Sequence, residues 1–217
     1  TTPASEPANW NRLIVAPIWM KKRFLEMIHR ETKNAKEGKP AKIIAKCNSL
    51  CDRKIILALY EASCAGVQVD LIVRGICCLV AGKPGVSENI RVRSIVGTFL
   101  EHARIFYFYN DGHEEIYMGS ADWMPRNLDR RVEIVFPVEE EELKEKAKHI
   151  LDVQLSDTLK AHRLLEDGTY QKVDRRGKEA IEAQKTFCEE AIAAANESKK
   201  KVPKKRTFDP RFSPQEE

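Results

Sequence analysis

Two short apolar runs with a helix-capping residue between them constrain this chain more than anything else in it. Lys42 to Lys46 (KIIAK) is β-branched and apolar, the composition of a strand buried on both faces. Val67 to Val73 is a second such run. Between them Asp52 is placed to cap a helix through Ile55, Ile56, Leu59 and Tyr60, ending at Gly66. Strand, helix and strand within about 30 residues make a βαβ unit, and a helical crossover joins strands that lie parallel. The fold class is therefore α/β, with a sheet that is at least partly parallel.

Other elements follow from periodicity and punctuation. Ile18, Phe24, Leu25 and Ile28 have helical spacing over 18–37, and Gly38 and Pro40 stop that helix. A loop is expected over 77–89, a third strand over 90–95 and a short helical turn through Leu100. RIFYFY (104–109) and 115–118 flank Asn110-Asp111-Gly112, a hairpin signal. The alternating Phe106, Tyr107, Phe108 and Tyr109 suit core and hairpin packing better than base stacking. A strand is expected over 132–138 and an amphipathic helix over 140–155, its first turn acidic as the helix dipole favours. Another helix is expected over 176–196, and from Ser198 onward a Lys/Pro-rich tail reads as disordered.

The net charge of +4 says less than its distribution. Glu139 to Glu142 is acidic and Lys199 to Arg206 basic, whereas Arg74, Arg91, Arg93, Arg104, Arg126, Arg130 and Arg131 lie beside predicted strands. Arginines so placed suggest an anion site; terminal runs usually mean a solvated face. The 6 cysteines mostly fall in apolar stretches and read as reduced, buried thiols. Cys47, Cys51, Cys77 and Cys78 lack a His at ligand spacing, so no metal site is expected of them. No apolar run reaches the ~20 residues of a membrane span, and residues 1–11 do not read as a signal peptide. With Thr1 in first place, the natural start is expected upstream or removed. The compartment expected is the cytoplasm, a peripheral place at the inner membrane being left open.

Four clusters carry the candidate chemistry: His102-Ala103-Arg104, the string Gly119 to Asn127 (GSADWMPRN), the Arg130-Arg131 pair, and Val73-Arg74-Gly75 at a strand end. If the neighbouring strands pair, the first two come to one edge of the sheet, where open α/β sheets bind ligands. Their order resembles the phospholipase D superfamily, whose motif is His-x-Lys followed by Gly-Ser-x-Asn and then Arg and Glu. Here His102-x-Arg104, Gly119-Ser120-x-Asp122, Arg126 and Glu133 fill those places. The sequence departs from the pattern in having Arg104 for the Lys, and Tyr109 where the motif has Asp.

Longer strings are more specific. DLIVRGICCL, SENIRVRSIVGTFLEHARIFYF, GSADWMPRNLDRRVE and KIIAKCNSLCD resemble the last domain of bacterial polyphosphate kinases, weakening beyond Asp174. The resemblance implies a phospholipase D-like mixed sheet flanked by helices, with a helical C-terminal extension. It divides the chain into a lead-in (1–11), the catalytic domain (12–156), the helical extension (157–197) and the basic tail (198–217). It also implies an enzyme that reversibly moves the terminal phosphate of ATP to polyphosphate through a phosphohistidine, with magnesium. The phosphohistidine and the magnesium ligands are expected in a preceding domain that no segment here matches. By the same resemblance His102 is catalytic, and Arg74, His102 and Arg131 contact ATP or phosphate. Arg104, Lys46, Ser120 and Arg126 are further candidates for phosphate contact. Partners implied are ATP or ADP, inorganic polyphosphate, the rest of the kinase chain and, in the full-length enzyme, further copies of it.

Plainer readings stand beside these. Arg126, Arg130 and Arg131 have Asp129 and Glu133 within reach as ion-pair partners, and for Arg130 pairing is the preferred reading. Arg104 either contacts an anion or pairs with Asp122. His113 falls in the hairpin turn, and His29, His149 and His162 on helices, all expected at the surface. Two rivals remain: a homodimeric phospholipase D-like phosphodiesterase, and a non-catalytic module that binds polyanions through its arginines and tail. No specific nucleic acid is expected as a partner.

Overall fold

The computed structural model describes residues 12–201, so the expectations for the lead-in and for the tail beyond 201 fall outside the described residues. The βαβ unit forms as expected. Strand β2 (Lys42–Cys47) and strand β3 (Gln68–Val73) pair in parallel, Lys42 opposite Gln68 and Cys47 opposite Val73. Helix α2 (Arg53–Cys64) connects them, and the Asp52 carboxylate accepts from the Lys54 and Ile55 amides at 3.0 and 3.1 Å. Ahead of this unit come a two-residue strand β1 (Ile14–Val15) and helix α1 (Met20–Lys36).

Strand β4 (Ile90–Ile95) adds parallel to β3. On the other side of β2 the sheet turns antiparallel through β5 (Ile105–Phe108), β6 (Glu115–Gly119) and β7 (Ile134–Pro137), with β1 on the outside. The β5–β6 turn is the expected hairpin, with Asn110 and Asp111 in the left-handed region at φ 47 and 54°. The buried Glu31 carboxylate reaches from α1 to accept from the Asn110 and Lys42 amides, which fixes the turn against β2. A short helix α3 (Pro125–Asp129) lies between β6 and β7, and α4 (Glu141–Ser156) follows β7.

Three expectations about the fold need correction. Of the cysteines, expected to be buried, only Cys47 is; Cys51, Cys77 and Cys188 are half-buried and Cys64 and Cys78 exposed. Residues 96–104 form a loop instead of a helical turn at Leu100. The segment after α4, expected to be helical, first contributes β8 (Ala161–Leu164) and β9 (Tyr170–Lys172), which extend the sheet beyond β4. His162 is therefore on a strand. Helix α5 (Ala183–Lys201) comes only after them. The cause of the miss is physical: AHRL and YQK are short, carry the adjacent polar pairs His162-Arg163 and Gln171-Lys172 and lie near the sheet's rim, so they have neither the alternation nor the apolar density that marks a strand.

The sheet order is thus β1-β7-β6-β5-β2-β3-β4-β8-β9. Alternation along each strand divides the core in two. Ile43, Ala45, Val69, Leu71, Phe106 and Phe108 face α1 and α2, meeting Phe24, Ile28, Ile55 and Leu59. Ile44, Ile72, Ile105, Tyr107 and Ile116 face α4, meeting Ala147 and Leu151. Trp123, fully buried, stacks on Phe106 at 5.1 Å and meets the edge of Phe24 at 5.5 Å. No helix among the described residues is long and apolar enough to cross a membrane.

The added strands and α5 are locked to the body by Asp157, which is 1% exposed. Its carboxylate accepts from the Leu159, Lys160 and Ala161 amides (3.0, 2.7 and 3.0 Å) and from the Ala183 amide at the start of α5 (2.8 Å). Asp157→Ala removes the acceptor of the Lys160, Ala161 and Ala183 amides and leaves Leu159 only its second bond to the Ile181 carbonyl, and we expect a loss of about 3 kcal/mol. Urea unfolding followed by circular dichroism checks this: the midpoint should fall with an unchanged slope.

Candidate functional site

The register of the sheet assembles one edge. β2 and β3 run parallel and end at Cys47 and Val73, so Asn48 and Arg74 emerge together. β5 runs against β2, with Ile105 opposite Lys46, so the preceding His102 to Arg104 arrive at the same edge. Met118 of β6 lies opposite Ile105, which brings Ser120 to Asp122 there; Val135 opposite Gly119 brings Glu133. Three of the four clusters seen in the sequence, those at Arg74, at His102 to Arg104 and at Gly119 to Asp122, therefore converge. Two close approaches hold this edge together. A Cβ on Gly119 would lie 2.2 Å from the Ile134 carbonyl oxygen, and one on Gly75 would lie 2.8 Å from that of Asn48. Neither position has room for a side chain.

At the centre is Asp122, 6% exposed. Its Oδ1 accepts from the Asn48 backbone amide at 2.7 Å, from Asn48 Nδ2 at 3.1 Å and from Arg104 Nε at 3.1 Å; its Oδ2 accepts from Arg104 Nη2, also at 3.1 Å. Burial acts to raise this carboxyl's pKa, but the hydrogen bonds from Arg104 and Asn48 outweigh it and hold the group below the ordinary carboxylate range. Asn48 Oδ1 in turn accepts from Arg74 Nε at 3.0 Å. Arg104 Nη1 faces His102, 3.1 Å from ring Nδ1 and 3.1 Å from the backbone oxygen. Arg74, Asn48, Asp122, Arg104 and His102 thus form one connected chain.

A second network fixes the loop before His102. Lys46 Nζ, 2% exposed, pairs with Glu101 at 2.9 Å. Gln154 of α4 donates to the same carboxylate at 2.6 Å and Gln184 of α5 at 2.8 Å, while Gln184 also brackets the Phe99 backbone at 2.8 and 2.9 Å. Burial works to raise the Glu101 pKa too; Gln184 and Lys46 reverse it. A third network joins Ser120, whose hydroxyl donates to Glu133, and Asn127, whose amide donates to the same carboxylate.

The candidate residues divide accordingly. Lys46 is buried and neutralised by Glu101, and Arg104 has its donors committed to Asp122 and His102; the geometry makes both of them supports instead of open phosphate ligands. For Arg104, left open between anion and Asp122, the structure shows the ion pair. Arg74 commits only Nε and leaves both terminal nitrogens of its guanidinium free among the described residues. His102 is exposed. Arg126 and Arg131 are exposed, with no side-chain hydrogen bond or ion pair among the described residues. Arg130 also lacks the ion pair expected of it: Asp129 is taken by Lys21 and Glu133 by Ser120 and Asn127. Arg91 pairs with Asp70 at 2.9 Å and Arg93 donates to the Gln154 carbonyl at 3.3 Å, so both serve the α4 face.

Asn48 is the site residue that sequence reasoning passed over; its one signal was its position directly after a buried strand. Among the thiols near this edge, Cys47 is pushed well above the ordinary range by burial. Cys51 is pushed up to about 11 by burial and then by contact with the Cys78 thiol. A cavity of about 740 Å³ lies at the opposite end of β6 and β7, but its charged residues are already paired, Arg12 with Glu139 inside it and Arg23, Glu114, Glu115 and Lys144 with Glu26, Lys148, Arg30 and Glu141 beyond it.

Comparison with known proteins gives a consistent result. The family described as polyphosphate kinase C-terminal domain 2 matches residues 13–184. A polyphosphate kinase from Synechocystis sp. is 52% identical over 194 residues, 89% of this chain and 27% of the relative. The crystal structure of polyphosphate kinase from Porphyromonas gingivalis superposes with a TM-score of 0.84 at 40% identity, covering 89% of this chain and 30% of that one. A phospholipase D family member, Nuc from Salmonella typhimurium, gives a TM-score of 0.47 at 15% identity, too weak a likeness to carry an argument. The chain spans about a quarter of the length of the curated relatives it matches.

Asp122 and Glu101 have depressed values in the folded state, so their stabilisation is complete above the unfolded carboxylate range of about pH 4 and lost as pH falls through the lower folded values. The urea midpoint of the parent should therefore drop between about pH 5 and pH 3. In Asp122→Asn that drop should be shallower, because one of the two groups no longer titrates.

Proposed function

This chain belongs to the family of polyphosphate kinase C-terminal domains, and we propose that it supplies one half of an ATP:polyphosphate phosphotransfer site. The observation that carries the reading is the sorting of charge at the edge. Lys46 and Arg104 are neutralised by Glu101 and Asp122, whereas Arg74, beside Asn48 in the network that ends at the exposed His102, keeps both terminal nitrogens free, and Arg126 and Arg131 on the β6–β7 connection are exposed and unpaired among the described residues. Such an edge favours an anion with several oxygens.

Phosphoryl transfer asks a protein mainly for positioning and for cations around the charge on the transferred group. The Arg74 fork, held at Nε by Asn48, keeps both terminal nitrogens available for bidentate contact with phosphate, and Arg131 and Arg126 supply further permanent charge. His102 contacts the phosphoryl group or its leaving oxygen. We assign the phosphohistidine to the part of the whole protein outside this chain. The carboxylates of this edge do not fit a divalent cation: Asp122, Glu101 and Glu133 are each engaged by cationic, amide or hydroxyl donors. Magnesium belongs in this reading with the nucleotide and the remainder of the protein. The same reading makes ATP or ADP and polyphosphate the ligands, the cytoplasm the compartment, and the rest of the kinase chain with further copies of it the partners.

The test is ATP-dependent polyphosphate synthesis by the full-length enzyme. Arg74→Ala, His102→Ala and Arg131→Ala should each lower kcat by about a hundredfold or more with folding intact. Near-normal rates would reduce this domain to a polyanion-binding module. The 217-residue chain alone should give no measurable turnover, since it carries a single His-x-Arg motif; robust synthesis by it would overturn the half-site.

A further inference from the structure

A guanidinium group has five N–H donors and no acceptor. The 3.1 Å contact between Arg104 Nη1 and His102 Nδ1 therefore has one chemical meaning: Nδ1 carries the lone pair, and the neutral ring holds its proton on Nε2. Arg104 cannot turn away to allow the other tautomer. Its Nε and Nη2 are held by the two oxygens of Asp122, and its Nη1 also donates to the His102 backbone oxygen. Asp122 is itself fixed by the Asn48 backbone and side chain.

We infer that Arg104 holds His102 as the Nε2–H tautomer, so that His102 presents a hydrogen-bond donor to a phosphoryl oxygen, with Asn48 and Asp122 as the positioning residues behind it. Rooted in the phosphotransfer reading above, the inference narrows the role of His102 within it. A histidine backed by a carboxylate takes the opposite tautomer and offers an Nε2 lone pair, as a general base or nucleophile must. Here a cation sits between the ring and the carboxylate, which reverses the polarity. His102 then joins the Arg74 fork as a donor toward the same anion. Asn48 sets both, one directly through Oδ1 and the other through Asp122 and Arg104. No bond to the His102 ring forms or breaks in this role; the covalent work stays with a group outside this chain.

The tautomer is read directly by two-bond 1H–15N correlation on histidine-labelled chain at alkaline pH, where the ring is neutral, with His102 assigned by its loss in His102→Gln. The expected pattern has a protonated Nε2 and an unprotonated Nδ1, and Arg104→Met should turn it into a mixture. A protonated Nδ1 in the parent overturns the inference, whether or not Arg104→Met folds. In the full-length enzyme the side-chain amide of His102→Gln reaches the Nε2 position and still donates, while that of His102→Asn reaches only the Nδ1 position. Turnover should be about tenfold higher in His102→Gln than in His102→Asn, with similar KM for ATP. Equal inactivity of the two would refute the donor role while leaving His102 in the site. Normal activity in both would instead reject the phosphotransfer reading of this edge.

Discussion

The buried carboxylate of Asp122 is the point on which this edge of the molecule depends. A carboxylate taken out of water costs several kcal/mol unless its oxygens are satisfied, and Asp122 is satisfied only by groups from other strands. Asn48 comes from the end of β2 and Arg104 from the start of β5, while Asp122 itself follows β6. The carboxylate therefore fastens three strand ends where the sheet changes from parallel to antiparallel. Breaking the contact would leave the largely buried Arg104 without a counter-charge.

That fastening also sorts the charges. Mid-chain arginines and lysines look alike in sequence, yet the fold gives them opposite fates. Those whose backbones lie within or directly before the central strands, such as Lys46 and Arg104, meet buried carboxylates and are spent. Those on the β6–β7 connection, Arg126, Arg130 and Arg131, keep their charge toward solvent. Helix α5 has a part in this from the far side of the sheet. Through Gln184 it holds both the Phe99 backbone and Glu101, and so sets the loop that delivers His102. The segment after α4 is thus part of the machinery that shapes the site.

The strong central elements were legible in the sequence because local chemistry dictates them. KIIAK and Val67 to Val73 have the density of two-sided burial, Asp52 has the spacing of a cap, and Asn110-Asp111-Gly112 tolerates the left-handed turn. From these the βαβ unit and the hairpin follow. The short rim strands β8 and β9 did not, because their stability comes from pairing with β4 and from Asp157, both distant in sequence. His162 and the loop at Leu100 were misplaced for the same reason.

The sequence by itself determined the α/β class, the family strings and the set of candidate phosphate ligands, because residue type and local periodicity carry that information. Only the tertiary structure decided which of those residues stay free. Whether Arg104 faced an anion or Asp122, whether Arg130 was paired, and whether Lys46 was open all turned on partners brought together by strand register. Asn48 shows the limit most clearly. Its role rests on Asp122 and Arg74, which the sheet brings to its side from distant parts of the chain, and no local pattern records a contact that only the sheet creates.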